Sequence, residues 1–204
     1  MTDSAQTVFI VDDDEAVRDA LQLLLRSVGL ASESYSSAKA FLEAYDAQRS
    51  GCLVLDVRMP GLSGLELAQL LSERQVMLPI IFITGHGDVP MAVEAMRLGA
   101  MDFIQKPFRD QDLLDRIQAA LQQDAEIRRA LRERQTVRQR LARLTPRERE
   151  VLDLLLAGKA NKVIAFDLGV SQRTVEIHRA RVMEKMEAKS LAALIQMVIE
   201  IRHD

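Results

Sequence analysis

Short apolar runs alternate with helically spaced apolar positions through the first half of the chain. Thr7-Val8-Phe9-Ile10-Val11, Cys52-Leu53-Val54-Leu55 and Pro79-Ile80-Ile81-Phe82-Ile83 are apolar on both faces, which predicts buried strands of a parallel sheet. Ala31–Tyr35 and Asp102–Gln105 are weaker strand candidates. Between the runs, Val17, Leu21, Leu24, Leu25 and Val28 repeat at helical spacing and close on Gly29. The stretch from Phe41 to Tyr45, the set Leu65, Leu67, Leu70 and Leu71, and the set Ala92, Val93 and Met96 before Gly99 do the same. A βαβ series with such short connections predicts an α/β doubly wound, five-stranded parallel sheet with helices on both faces.

The pattern changes after residue 108. No Gly or Pro interrupts the chain between Phe108 and Thr145, and a helical repeat runs from about Leu113 to Leu141 through a crowd of arginines. Ile127, Leu131, Val137, Leu141 and Leu144 fall near heptad intervals, with Arg134 and Arg138 at seam positions. A coiled-coil dimer seam and a solvated charged helix are both open readings of this linker. Thr145-Pro146-Arg147-Glu148 then supplies an N-cap, a first-turn proline and a capping-box glutamate. That helix runs to Gly158, a second covers residues 161–168 and stops at Gly169, a third follows Ser171 to about Met186, and a fourth spans Ser190 to Arg202. An all-α four-helix unit whose middle pair has helix-turn-helix spacing is predicted. The boundaries expected are residues 6–123, a linker at 124–141, and 142–204.

Charge separates the same segments. The chain of 204 residues carries a net −3, but residues 1–123 hold 10 Lys/Arg against 18 Asp/Glu and residues 124–204 hold 17 against 12. An acidic half joined to a basic half fits two modules with different partners, nucleic acid being one candidate for the basic one, and equally a mere fluctuation of surface charge, and composition alone does not choose between them. A single cysteine, Cys52, excludes an internal disulfide framework and a cysteine-based zinc site. No apolar run reaches the ~20 residues of a spanning helix, and the first residues show no basic stretch followed by an apolar run, so a cytoplasmic protein without membrane contact is expected.

In a parallel sheet the crevice beyond the carboxyl ends of the strands is where ligands bind. The strong runs end in Asp12-Asp13-Asp14, in Asp56 and in Thr84-Gly85, and the last weak one in Lys106-Pro107. Asp12, Asp13 and Asp56 at one edge would repel one another unless a cation were present. A hard divalent ion, Mg²⁺ or another such as Mn²⁺, suits oxygen ligands of this kind. A carboxylate beside such an ion is a competent nucleophile toward phosphorus. Lys106 then supplies positive charge and Thr84 a hydroxyl for the phosphoryl oxygens. A Ca²⁺ or purely structural carboxylate cluster leaves Lys106 and Thr84 without a role.

The set Val11-Asp12-Asp13-Asp14, Asp56-Val57-Arg58-Met59-Pro60-Gly61, Ile83-Thr84-Gly85 and Lys106-Pro107-Phe108 resembles the receiver domain of two-component response regulators over roughly residues 6–123. The resemblance implies a flavodoxin/CheY-like sheet with strand order 2-1-3-4-5. It makes Asp56 the phosphoacceptor. It assigns Mg²⁺ to Asp13, Asp56 and the main-chain carbonyl of Arg58, with Asp12 acting through water. Lys106 becomes the phosphate-binding lysine, and Thr84 with Phe103 the switch pair. Phosphate on Asp56 would draw the Thr84 hydroxyl inward and let Phe103 fill the space, remodelling the surface near residues 89–99 as a dimerisation face.

In the basic half, Lys162, Arg173, Thr174, His178, Arg179 and Arg181 are the candidate DNA contacts. His178, Arg181 and Lys185 repeat outward, with Val175, Val182 and Met186 inward. Arg179 or Arg181 suits guanine, and Lys162 and Arg173 suit phosphates. The segment from Leu144 to Leu152, with Gly158, Asn161-Lys162, Ile164-Ala165, Ser171, Thr174-Val175-Glu176 and His178-Arg179, resembles LuxR-type DNA-binding domains over about residues 142–202. Together the halves resemble the NarL/FixJ class, and the run from Thr84 through Met96 its FixJ-like branch. Glu176 departs from the lysine frequent in NarL-like members. The implied protein is a transcription regulator with a histidine kinase, a double-stranded DNA operator, RNA polymerase and a second copy of itself as partners. Two rival classes are a phosphohydrolase using Asp56, against which Arg58 stands where haloacid-dehalogenase phosphatases carry a second aspartate, and an adaptor whose basic bundle binds protein.

Overall fold

The computed structural model describes residues 6–85 and 89–202. Five parallel strands stand in the order β2-β1-β3-β4-β5. They are β1 (Thr7–Val11), β2 (Ala31–Tyr35), β3 (Gly51–Asp56), β4 (Ile80–Thr84) and β5 (Asp102–Gln105). This is the expected flavodoxin-like order. The three central strands are buried along their whole length, whereas β2 and β5 lie at the edges and are half exposed. Edge placement explains why only those two have weak apolar patterns in the sequence.

Two layers of helices cover the sheet. Alternating residues Val8, Ile10, Val54, Ile81 and Ile83 pack with Leu21 and Leu25 of α1 (Glu15–Ser27) and with Leu113 and Ile117 of α5 (Asp110–Ala142). Their neighbours Phe9, Val11, Leu53, Leu55 and Phe82 pack on the other face with Phe41 of α2 (Ala38–Ala44), Leu67 and Leu71 of α3 (Gly64–Glu73) and Ala95 of α4 (Val89–Arg97). A strand's period of two divides its side chains between two cores. Gly64, the first residue of α3, is required by closeness: a Cβ there would stand 2.2 Å from the Asp56 carbonyl oxygen. Only glycine lets that helix start directly against the end of β3.

The chain forms two compact units that divide between Arg128 and Arg129, within α5. In the second unit the helices are α6 (Pro146–Leu156), α7 (Asn161–Leu168), α8 (Gln172–Met186) and α9 (Leu191–Arg202). The capping box of α6 is formed on both sides, Glu148 accepting from the Thr145 amide at 2.8 Å and Thr145 accepting from the Glu148 amide. Gly169 ends α7 at φ 63°, in the left-handed region. Val137, Leu141 and Leu144, three of the heptad positions, pack into this unit's own core with Val182, Met186, Leu194 and Val198. Leu131 is exposed. The seam is therefore largely used within the unit, which removes most of the apolar surface that a coiled-coil dimer would need.

Candidate functional site

Because all five strands are parallel, their carboxyl ends meet along one edge, and the predicted residues gather there. Asp12 follows β1 and is 1% exposed, Asp56 ends β3 at 6%, and Thr84 ends β4 at 1%. Lys106 follows β5, and its amide donates to the Thr84 carbonyl at 2.7 Å, fixing the end of β5 to β4. The Lys106 ammonium donates to Asp12 Oδ2 at 2.8 Å and to Asp56 Oδ1 at 3.0 Å. The second oxygens are also occupied: Asp56 Oδ2 accepts from the Arg58 amide at 2.8 Å, and Asp12 Oδ1 accepts from the Asp14 amide at 2.9 Å. Asp14 caps α1, and Arg18 from that helix donates to the Asp12 and Asp13 carbonyls.

One ammonium shared by two nearly buried carboxylates leaves the triad one negative charge in excess. Burial therefore holds the Asp56 carboxyl above its usual range, and the Asp12 charge adds to this, while Lys106 and the Arg58 amide only partly offset it. Lys106 is held above the usual lysine range: burial lowers it, but its hydrogen bonds to Asp12 and Asp56 outweigh that effect. The site is short of one positive charge and lined by hard oxygens, which is the chemistry that a small divalent cation satisfies. The expected trio of converging acids is reduced to two, however. Asp13 is exposed, and among the described residues no group of three His, Cys, Asp or Glu stands ready to hold a metal.

Phe103 stands opposite Phe82 in the β4–β5 register. Phe82 and Thr84 are two residues apart on one strand, so Thr84 and Phe103 belong to the same sheet face. Phe103 is half-buried against the core beneath α4. Of the run quoted for the FixJ-like resemblance, residues 86–88 lie outside the described residues.

In the second unit Lys162, Arg173 and Arg181 are exposed, whereas Thr174, His178 and Arg179 are half-buried. Thr174 takes part in the α8 cap, its amide donating to Ser171 Oγ at 3.1 Å. Arg179 donates to Asn161 Oδ1 at 3.3 Å, tying α8 to the start of α7. The His178 Nδ1 atom is buried and has no hydrogen-bond partner among the described residues. Lys185 departs from the outward row predicted for it. It turns in to the buried Glu148 carboxylate at 2.6 Å and to the Arg143 carbonyl at 3.3 Å, because a buried acid needs a counter-charge. Sequence reasoning named Arg173 and Glu176 but missed Ile177, Ala180 and Glu184, which continue from Arg173 at helical spacing and are likewise exposed.

Comparison with known proteins divides the chain in the same way. Residues 8–118 match the response regulator receiver domain family, and residues 142–198 match the bacterial regulatory proteins of the luxR family. The chain is 52% identical over 192 residues to the transcriptional regulatory protein FixJ of Azorhizobium caulinodans, covering 94% of this chain and 91% of that one. It is 48% identical over 198 residues to the transcriptional regulatory protein TdiR of Thauera aromatica, covering 97% and 87%. Among solved structures it is similar to the response regulator StyR, with a TM-score of 0.89 and 46% identity over 96% of this chain and 99% of that one. Full-length FixJ from B. japonicum gives a TM-score of 0.60 at 43% identity, over 98% and 99%.

Proposed function

The chain belongs to the two-component response regulators that join a receiver domain to a LuxR-type DNA-binding domain, transcription factors rather than enzymes, and from that membership we propose that Asp56 accepts a phosphoryl group from a histidine kinase and thereby controls dimerisation and operator binding. The observation that carries this reading is the bridge of Lys106 between Asp12 and Asp56 at 2.8 and 3.0 Å. It brings the Asp56 carboxylate, a second acid and an ammonium within hydrogen-bond reach of one another, which supports a nucleophile with a cationic anchor beside it.

Receivers of this family generally bind Mg²⁺ at their aspartates. Asp13, Asp56 and the Arg58 carbonyl would hold it here, with Asp12 acting through water. When bound, the ion supplies positive charge for the carboxylates and for the phosphoryl oxygens. An oxygen of the Asp56 carboxylate forms the new bond to phosphorus, the bond from phosphorus to the kinase imidazole nitrogen breaks, and its electron pair stays on that nitrogen. Lys106 contacts the transferred oxygens, and the Thr84 hydroxyl hydrogen-bonds one of them. Phe103, on the same sheet face, packs into the space that Thr84 leaves. The α4 surface that responds carries Val89, Val93 and Met96, all exposed apolar residues at helical spacing. This is a suitable face for a second copy of the chain.

Incubation with acetyl phosphate and Mg²⁺ tests the proposal. Label should enter the wild type and not Asp56→Asn, and sedimentation should show phosphodonor-dependent dimers that Asp56→Asn does not form. Equal labelling or equal dimerisation of the two proteins refutes it.

A further inference from the structure

Resting on the reading of the first unit as a Mg²⁺-dependent phosphoacceptor, we propose that Arg18 is a positioning residue of the metal site: by holding the main-chain oxygens of Asp12 and Asp13 it presents the Asp13 carboxylate to the cation. Arg18 is the fourth residue of α1 and is half-buried. Side chains of a helix lean toward its N-terminus, so this one reaches back over the turn that joins β1 to the helix. One nitrogen, Nη1, donates to the Asp12 carbonyl at 2.8 Å and to the Asp13 carbonyl at 3.0 Å. Two observations set this apart from ordinary surface charge. A cation in the first turn opposes the helix dipole, so helix formation gives no reason for an arginine here. Four acids, Asp12 to Glu15, precede it in the chain, yet its hydrogen bonds among the described residues go to main-chain oxygens and not to their carboxylates.

The rest of the turn explains why those two oxygens matter. Asp12 is held from several sides: its amide donates to the Tyr35 carbonyl at 3.3 Å, Oδ1 accepts from the Asp14 amide at 2.9 Å, and Oδ2 accepts from Lys106 at 2.8 Å. Asp14 is held by its own cap, accepting from the Ala16 amide at 2.9 Å. Asp13 lies between them with an exposed side chain, and Arg18 ties its peptide to the helix. With both carbonyls held, the main chain that aims the Asp13 side chain is set before any cation arrives. A cation that takes Asp13 as a ligand then has side-chain torsions to fix and not the backbone, which is the loss of freedom that preorganisation removes. Direct electrostatics acts the other way, since a guanidinium repels a divalent ion. The sign of the effect on metal affinity therefore separates the two roles. Removing Arg18 weakens binding if it positions Asp13, and strengthens it if it is only a charge.

The test titrates Mn²⁺ into the full-length protein without a phosphodonor and reads the free ion by electron paramagnetic resonance, tyrosine fluorescence in urea showing that each variant is folded under the same conditions. Arg18→Met should weaken binding about ten-fold, the lower end of what groups that orient a metal ligand supply. Arg18→Lys, whose ammonium can still donate to the carbonyls, should recover most of that loss. Asp13→Asn should weaken binding as well, and adding Arg18→Met to it should cost less than about two-fold more, because Arg18 acts through Asp13. In labelling by acetyl phosphate, Arg18→Met should need about ten-fold more Mg²⁺ for the half-maximal rate and approach the wild-type rate at saturation. A wild type that binds no Mn²⁺ overturns the metal-site reading and this inference with it. A wild type that binds, with Arg18→Met binding as tightly or more tightly, overturns this inference alone. So does a loss from Arg18→Met that persists undiminished in the Asp13→Asn background.

Discussion

Asp124 offers the most direct measure of what holds the long helix to the sheet. It is fully buried, lies in α5, and accepts from Ser50 Oγ at 2.5 Å, from the Gly51 amide at 2.9 Å and from Arg128 Nε at 2.8 Å. Arg128 is itself engaged by backbone oxygens, donating to the Gln48 carbonyl at 3.2 Å and to that of Arg49. The cluster pins the turn between α2 and β3 to the helix. Each charge-assisted bond contributes about 1.5–3 kcal/mol, and breaking a buried pair by removing one partner costs about 3–5 kcal/mol. The Arg128 side chain is 20% exposed, so water recovers part of the loss. We therefore expect Asp124→Ala to destabilise the first unit by about 4 kcal/mol and Arg128→Ala by about 3 kcal/mol. Both break the same bonds, so the double variant should lose only about 4–5 kcal/mol, a coupling of about 2–3 kcal/mol.

The composition of the chain provides the assay. There is no tryptophan, and both tyrosines, Tyr35 and Tyr45, lie in the first unit, so tyrosine fluorescence during urea unfolding reports that unit alone. At a slope of about 2 kcal/mol per molar, Asp124→Ala should lower the midpoint by roughly 2 M. Additive effects in the double variant, with a coupling under about 0.5 kcal/mol, would refute the shared cluster. So would an Asp124→Ala midpoint within about 0.5 M of the wild type.

Further outcomes follow from other sites. Lys106→Met should slow labelling of Asp56 by acetyl phosphate about 10²-fold, since one aligned cationic donor is lost from the phosphoryl pocket, and an unchanged rate would exclude Lys106 from the transfer. Lys185→Met, which strands the buried Glu148 carboxylate, should destabilise the second unit by about 2 kcal/mol, read as loss of the far-UV signal that tyrosine emission does not follow. The pH response has a definite sign. Burial raises the Glu148 carboxyl, but the bond from Lys185 and those from Thr145 outweigh it and hold it below the ordinary 4.5. Its contribution should be complete above that value and fade as pH falls through the lowered folded-state value, a loss that Glu148→Gln should not show. Cys52, wholly buried with its thiol pushed up to about 12 by burial, should react with a thiol reagent only as fast as the protein unfolds.

The central strands and the pocket were legible because each rests on a local pattern, strands apolar on both faces and each followed directly by a polar residue at the same edge, whereas the order of the strands came only with the resemblance to receiver domains. Asp12, Asp56, Thr84 and Lys106 could be grouped before any coordinates, since parallel strands bring their carboxyl ends together whatever the details of packing. The edge strands β2 and β5 bury too little to write a clear alternation, yet Ala31–Tyr35 and Asp102–Gln105 were still legible as weaker candidates with the bounds observed. Asp124 was illegible for a different reason. An aspartate among glutamines and arginines on a long helix reads as solvated, and only the turn at residues 46–50, some 75 positions earlier in the chain, makes it a buried anchor.

In the basic half the expected outward row is kept by Arg181, only half-kept by His178 and left by Lys185. A helical row of cations suggested His178, Arg181 and Lys185 as one outward stripe, yet periodicity fixes only which residues share a side, not which side meets water. The neighbouring helices decide that: α6 presents Glu148, which claims Lys185, and α7 presents Asn161, which claims Arg179. The residues of α8 left exposed are Gln172, Arg173, Glu176, Ile177, Ala180, Arg181 and Glu184. The net +5 of residues 124–204 therefore describes how strongly this half is drawn to a polyanion, whichever side chains meet the bases. Salt should accordingly weaken binding to operator and mixed-sequence DNA with similar slopes, set by phosphate contacts.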